Sequence, residues 1–250
     1  MKGFLSIEVD ERFEQACGYI VERLSHCVVG NFVERVVQIQ LRELEDVTLL
    51  IDVLTEVIIN DCKSYFIEKS IKLVNIDELS KHIFIKTLCA FDYETDKIIV
   101  EELLCRSRAI VGQKSFLLGS FYDFCLDGLK KRWSEVCILT NENISCLSCR
   151  RNFDELLKFM ISNVDSRCNE VFLVERMGRV QVLDRSLQRI EGVYVNGSLS
   201  NEIQVIETLI YLGPRKIIFL GSECEVFGRV RGLFRDNCVE VSLKSPLLAK

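Results

Sequence analysis

The 250 residues carry a net charge of -5 with 48% apolar and 28% charged side chains, which suits a globular chain that buries a core as one large domain or two modest lobes, and excludes a disordered one. The acidic balance argues against a general binder of nucleic acid or of an anionic membrane, since both need a local excess of Lys and Arg. Residues 1–10 alternate like a strand and include Glu8 and Asp10, so no signal peptide is expected, and the most apolar run, residues 47–59, is short and broken by Asp52 and Glu56, so no membrane span is expected and the location should be cytoplasmic.

In chain order, residues 4–9 alternate, and 11–25 read as a helix with Phe13, Cys17, Ile20, Val21 and Leu24 inward. Residues 35–41 alternate again with Val37, Ile39 and Leu41 on one face, a small β-α-β start. A long amphipathic helix is expected from Leu44, with Leu44, Val47, Ile51, Leu54, Ile58 and Tyr65 inward. Asp77 is placed to cap the next helix, which turns Ile83, Phe84, Thr87 and Leu88 inward. Residues 92–108 continue the pattern through Ile98, Ile99, Glu102 and Cys105.

Residues 115–136 predict one long central helix, with Leu118, Tyr122, Cys125, Leu129 and Trp133 as its stripe and Leu117, Phe121 and Phe124 widening it. Residues 140–151 should be a loop and Asn152 the cap of a short helix. The period then changes to two. Residues 170–175 and 179–183 form a hairpin around Met177-Gly178, 201–212 a helix, 216–220 a strand, 222–235 a helix and 238–243 a last strand. The order strand, helix, strand implies a parallel crossover. The expectation is an α/β (α+β overall) protein with a helical middle layer, divided as 1–150 and 151–250.

Of the twelve cysteines, only Cys146 and Cys149 form a C-x-x-C, which is half a zinc site or a redox pair. Four ligands are needed, and Cys137 and Cys168 are the nearest further candidates, without a second paired spacing, so no metal and no cofactor are expected. The loop Gly221-Ser222-Glu223 lies at the carboxyl end of an expected parallel strand, where open α/β sheets bind ligands. Arg229, Arg231 and Arg235 follow on one helix. Gly221, Ser222, Arg229 and Arg231 are therefore the candidate ligand residues, with ordinary capping and a solvated basic face as the plainer alternative. His26 and His82 each stand alone in the sequence, and the pairs Glu43 with Glu45 and Glu101 with Glu102 fall on solvent-facing positions.

Four segments, FLLGSFYDFCLDGLKKRW, FDELLKFMISN, VFLVERMGRVQVLD and LIYLGPRKIIFLGS, in this order and spacing, resemble the YtxC-like family of sporulation proteins of endospore-forming bacteria. The resemblance covers roughly residues 116–236. It departs from the family where Gly119, Asp123 and Cys125 replace Arg and Lys, and where Leu220 replaces His. It implies a role in sporulation and no reaction. The expected function is binding of another macromolecule, a protein partner. The rival is small-molecule or nucleotide binding in the C-terminal lobe, and nucleic-acid binding through Arg215, Lys216, Arg229, Arg231 and Arg235 is opposed by the overall charge.

Overall fold

The computed structural model describes residues 3–29, 35–73, 76–106, 114–144, 150–190, 193 and 199–239. The chain divides into two units: Met1–Val74 with Asp92–Ser145, and Asn75–Phe91 with Cys146–Lys250. The stretch Asn75–Phe91, which a linear division keeps with residues 1–150, thus groups with the C-terminal part.

The first unit holds β1 (Gly3–Glu8), α1 (Ala16–Arg23), β2 (Val36–Leu41), α2 (Leu44–Val57) and α3 (Lys63–Ser70). Next along the chain is α4 (Glu78–Ala90), which belongs to the second unit. The first resumes with α5 (Tyr93–Arg106), β3 (Ser115–Leu117), α6 (Leu118–Cys125) and α7 (Asp127–Ile144). β1 is the middle strand, antiparallel to β2 and parallel to β3. Alternation places Leu5, Ile7, Val37, Ile39 and Phe116 on one buried face. Against it, α1 contributes Cys17 and Ile20.

In two helices the buried face differs from the one expected, in part for α2 and throughout for α5. In α2 Leu54, with Ile58 just after it, is buried as expected, but Leu50, Val53 and Val57 complete the line and Leu44 is 80% exposed. In α5 the buried line is Tyr93, Asp96, Val100 and Leu104, with Ile98 and Cys105 exposed. Between α2 and α3 lies a π-helical turn, Ile58–Cys62, that carries one residue more per turn than its neighbours.

The expected central helix 115–136 is three elements. Residues 115–117 take the open edge of β1, with Ser6 N–H donating to the Lys114 carbonyl at 2.9 Å, so strand pairing overrides the local helical period. The helix then breaks at Leu126, where φ is -97° and ψ 13°. Asp127 and Gly128 follow: glycine is a poor helix former, and the aspartate favours a helix start. Leu126 is fully buried and Cys125 exposed, because leucine offers more apolar area to the same corner. Leu129 and Trp133 continue inward as expected, Cys137 joins them, and α7 runs on to Ile144 in place of a loop at Thr140.

The second unit adds α8 (Arg150–Ser162), β4 (Glu170–Arg176), β5 (Arg179–Leu183), α9 (Asn201–Leu212), β6 (Lys216–Leu220), α10 (Glu225–Leu233) and β7 (Cys238–Val239). The strand order is β5-β4-β6-β7, with an antiparallel hairpin β4-β5 and parallel pairs β4-β6 and β6-β7. The expected hairpin and crossover are both present, and the molecule is α+β. Met177 and Gly178 both have positive φ, 53° and 76°, the backbone that a two-residue hairpin turn demands. The cap at Asp77 forms as expected, its carboxylate accepting from Ser80 N–H at 3.0 Å. Ser200 begins α9 and Gly213 ends it in the left-handed region, φ 50°. A Cβ at Gly213 would stand 2.5 Å from the Asp165 carbonyl oxygen, so chain direction and close packing both require glycine there. Phe84 of α4 packs in a tilted arrangement on Phe153 of α8, with centroids 5.2 Å apart, and Phe219 of β6 meets Phe227 of α10 edge to face at 5.0 Å. The last expected strand, 238–243, is described only as far as Val239.

Candidate functional site

The loop expected to bind a ligand leaves β6 at Leu220. Gly221 has φ 121° and lies against Glu175 of β4, and exposed Ser222 follows. The next helix starts at Glu225 with Cys224 at its cap position, so Ser222 stands before the helix instead of opening it. Arg229 donates through Nε to Glu202 of α9 at 2.9 Å. Arg231 pairs with Glu223, and its guanidinium lies 4.5 Å from the Phe219 ring centroid. The structure therefore joins Arg231 to the loop through Glu223, whereas Arg229 is drawn to another helix. These pairs were invisible in the sequence because neither sits at helical neighbour spacing. Cys146 and Cys149 lie outside the described residues. Cys137 is buried in α7, and Cys168 is half-buried just before β4.

A second constellation, unforeseen from the sequence, fills the interior of the first unit. Asp96 of α5 is 0% exposed. Its Oδ2 accepts from Lys63 Nζ at 2.8 Å and from Trp133 Nε1 at 2.9 Å, joining α3, α5 and α7. Its Oδ1 accepts no hydrogen bond and lies 4.0 Å from Arg132 Nε. One turn earlier on α5, Tyr93 donates its hydroxyl to Glu56 of α2, which also accepts from Asn60 Nδ2 at 3.0 Å. Asn60 and Lys63 lie in and just after the π turn. The signal in the sequence was the spacing of Tyr93, Asp96, Val100 and Leu104, a helical stripe with a carboxylate in it. An Asp is ordinarily assigned to solvent. The arrangement holds three helices in register and leaves the carboxylate enclosed.

Arg12 builds a third cluster. It forks onto both oxygens of Asp123 at 2.9 Å each and donates through Nε to Asp10 at 2.9 Å, with its guanidinium 5.3 Å from the rings of Phe13 and Tyr122. Arg12 in turn holds the carboxyls of Asp10 and Asp123 below their usual range through these hydrogen bonds. A Cβ on Gly119 would meet Asp10 Oδ2 at 2.7 Å. Gly119 and Asp123 thus make the seat of one arginine.

His82 is not alone. Its Nε2 lies 2.8 Å from Glu207 Oε1, and Lys86 Nζ is 3.5 Å from the same oxygen, across α4 and α9. Burial would raise the Glu207 pKa, but the His82 hydrogen bond and the Lys86 charge outweigh it and hold it below the ordinary value.

No protein-family model, no curated protein and no solved structure matches the chain. Among the described residues, no helix is long and apolar enough to cross a membrane.

Proposed function

We propose that this is a cytoplasmic binding protein whose partner is another protein, in keeping with the resemblance to YtxC-like sporulation proteins. The observation that carries the reading is the end of α7. Its solvent face bears Lys131, Arg132 and Glu135, then an adjacent apolar pair, Ile138 and Leu139, 54% and 60% exposed. The support beneath them is fixed, because Asn141 donates to the Ser70 carbonyl at 2.9 Å and accepts from Lys72 N–H at 3.0 Å. Burying such a side chain fully is worth about 1.5–3 kcal/mol, and apolar groups on rigid supports are what interface centres are built from. The rival, an anion or nucleotide site at Gly221 and Ser222, has less support because Arg229 and Arg231 already hold Glu202 and Glu223.

The test places a photocrosslinking residue at Glu135 in sporulating cells. A discrete adduct is expected, lost when Ile138 and Leu139 are both changed to Asp while the denaturant midpoint stays put. An adduct that survives the double change would refute the surface.

A further inference from the structure

We infer that His26, Cys27 and Asp46 form a zinc-binding site with a fourth position left open to water. His26 and Cys27 follow the end of α1, and Asp46 lies in the first turn of α2. Cys27 Sγ is 3.4 Å from Asp46 Oδ1, His26 Nε2 is 3.5 Å from the same oxygen, and all three donor atoms lie within 4.8 Å of one another. Zinc bonds of about 2.0–2.3 Å arranged tetrahedrally put neighbouring donors about 3.4–3.6 Å apart. Two edges of that tetrahedron are therefore already in place, and the third needs only a small turn of an exposed imidazole.

The two less exposed ligands are held by bonds that leave their donor atoms free for the ion. Cys27 N–H donates to the Leu24 carbonyl at 2.8 Å, and its own carbonyl accepts from Gln40 N–H of β2 at 2.8 Å. Asp46 accepts from Arg42 N–H at 2.7 Å and from Glu43 N–H at 3.1 Å, both on Oδ2. This capping arrangement fixes the carboxylate and turns Oδ1 toward the cysteine, the outer-shell support that orients metal ligands elsewhere. The Cys27 side chain is buried, whereas that of His26 is 58% exposed, so water reaches the ion from the imidazole side.

The donor set chooses the ion. One thiolate, one imidazole and one carboxylate suit a borderline-soft cation and not Mg2+ or Ca2+, which take oxygen ligands. A thiol must lose its proton to bind zinc, so uptake releases a proton.

The experiment uses the full chain with Cys146 and Cys149 changed to Ser, titrated with Zn2+ and with Co2+ as a spectroscopic substitute. Expected are one ion per chain, visible bands of tetrahedral cobalt and a near-ultraviolet sulfur-to-cobalt charge transfer. Cys27→Ser should remove the charge-transfer band. His26→Ala, at an exposed position that leaves the fold intact, should weaken Zn2+ by at least about 100-fold, since even outer-shell changes cost 10–100-fold. Absence of the cobalt spectrum would overturn the inference, as would a spectrum that persists unchanged in both variants. Stoichiometric zinc in the unmodified chain that disappears with Cys146 and Cys149 and is indifferent to His26→Ala would also overturn it, assigning the ion to the C-x-x-C.

Discussion

Asp96→Ala takes the carboxylate away from a Lys63 ammonium only 4% exposed and from the indole N–H of Trp133, 2% exposed. Breaking a buried ion pair by removing one partner costs about 3–5 kcal/mol, and a buried donor that loses its acceptor costs about 1–3 kcal/mol. The two overlap, so the loss should fall near 5 kcal/mol, a large share of the 5–15 kcal/mol typical of a folded domain. Asp96→Asn keeps an acceptor for both donors and should cost less. The double change Lys63→Met with Asp96→Leu removes both charges from the interior and should recover about 2 kcal/mol or more relative to Asp96→Ala. Trp133 is the chain's single tryptophan, so urea unfolding followed by its fluorescence reads the unit that holds the network. An Asp96→Ala chain within about 0.5 kcal/mol of the parent, the range of ordinary surface changes, would refute the reasoning. So would a double variant no more stable than the single one.

Two further outcomes follow from burial and charge. Trp133→Ala should cost about 3–5 kcal/mol through lost contact and a cavity, whereas Phe124→Ala, at a side chain 79% exposed, should stay within about 0.5 kcal/mol; paired denaturant melts compare them. Glu207 has a folded pKa below its ordinary 4.5, so its contribution is complete above that value and is lost as pH falls through the folded one; Glu207→Gln should flatten the acid limb of the stability profile below about pH 4.5, read by denaturant melts across that range.

Elements whose signals are local could be read from the chain. The Asp77 cap, the Met177-Gly178 turn, the helix 201–212 with its terminal glycine and the strand 216–220 each depend on neighbours within a few residues, and each is where the pattern places it. What required a distant partner was not legible. Residues 115–117 follow a helical period until β1 offers an edge, and Leu44 fits a stripe that packing then rotates away. Asp96 is polar by composition and buried only because Lys63, 33 positions earlier, reaches it. The candidate site shows the same limit: Arg229 and Arg231 were recognisable as cations, but Glu202 and Glu223, which hold them, are 27 and 8 positions away. His26 looked solitary for the same reason, since the loop and strand between α1 and α2 bring Asp46 to it.

The wide turn at Ile58–Cys62 takes up one residue without re-aiming the chain that follows. Each residue of an α-helix advances the side chains by about 100°, and five residues spread over a π turn cover about the angle of four in an α-helix, so α3 keeps the facing it would have had without the extra one. Deleting a single residue there should therefore let α2 and α3 join as one regular helix with Lys63 still directed at Asp96. The insertion and the carboxylate are separable: a relative that lacks the extra residue is free to keep the aspartate, and tolerance of this core to a change of chain length is concentrated at one turn.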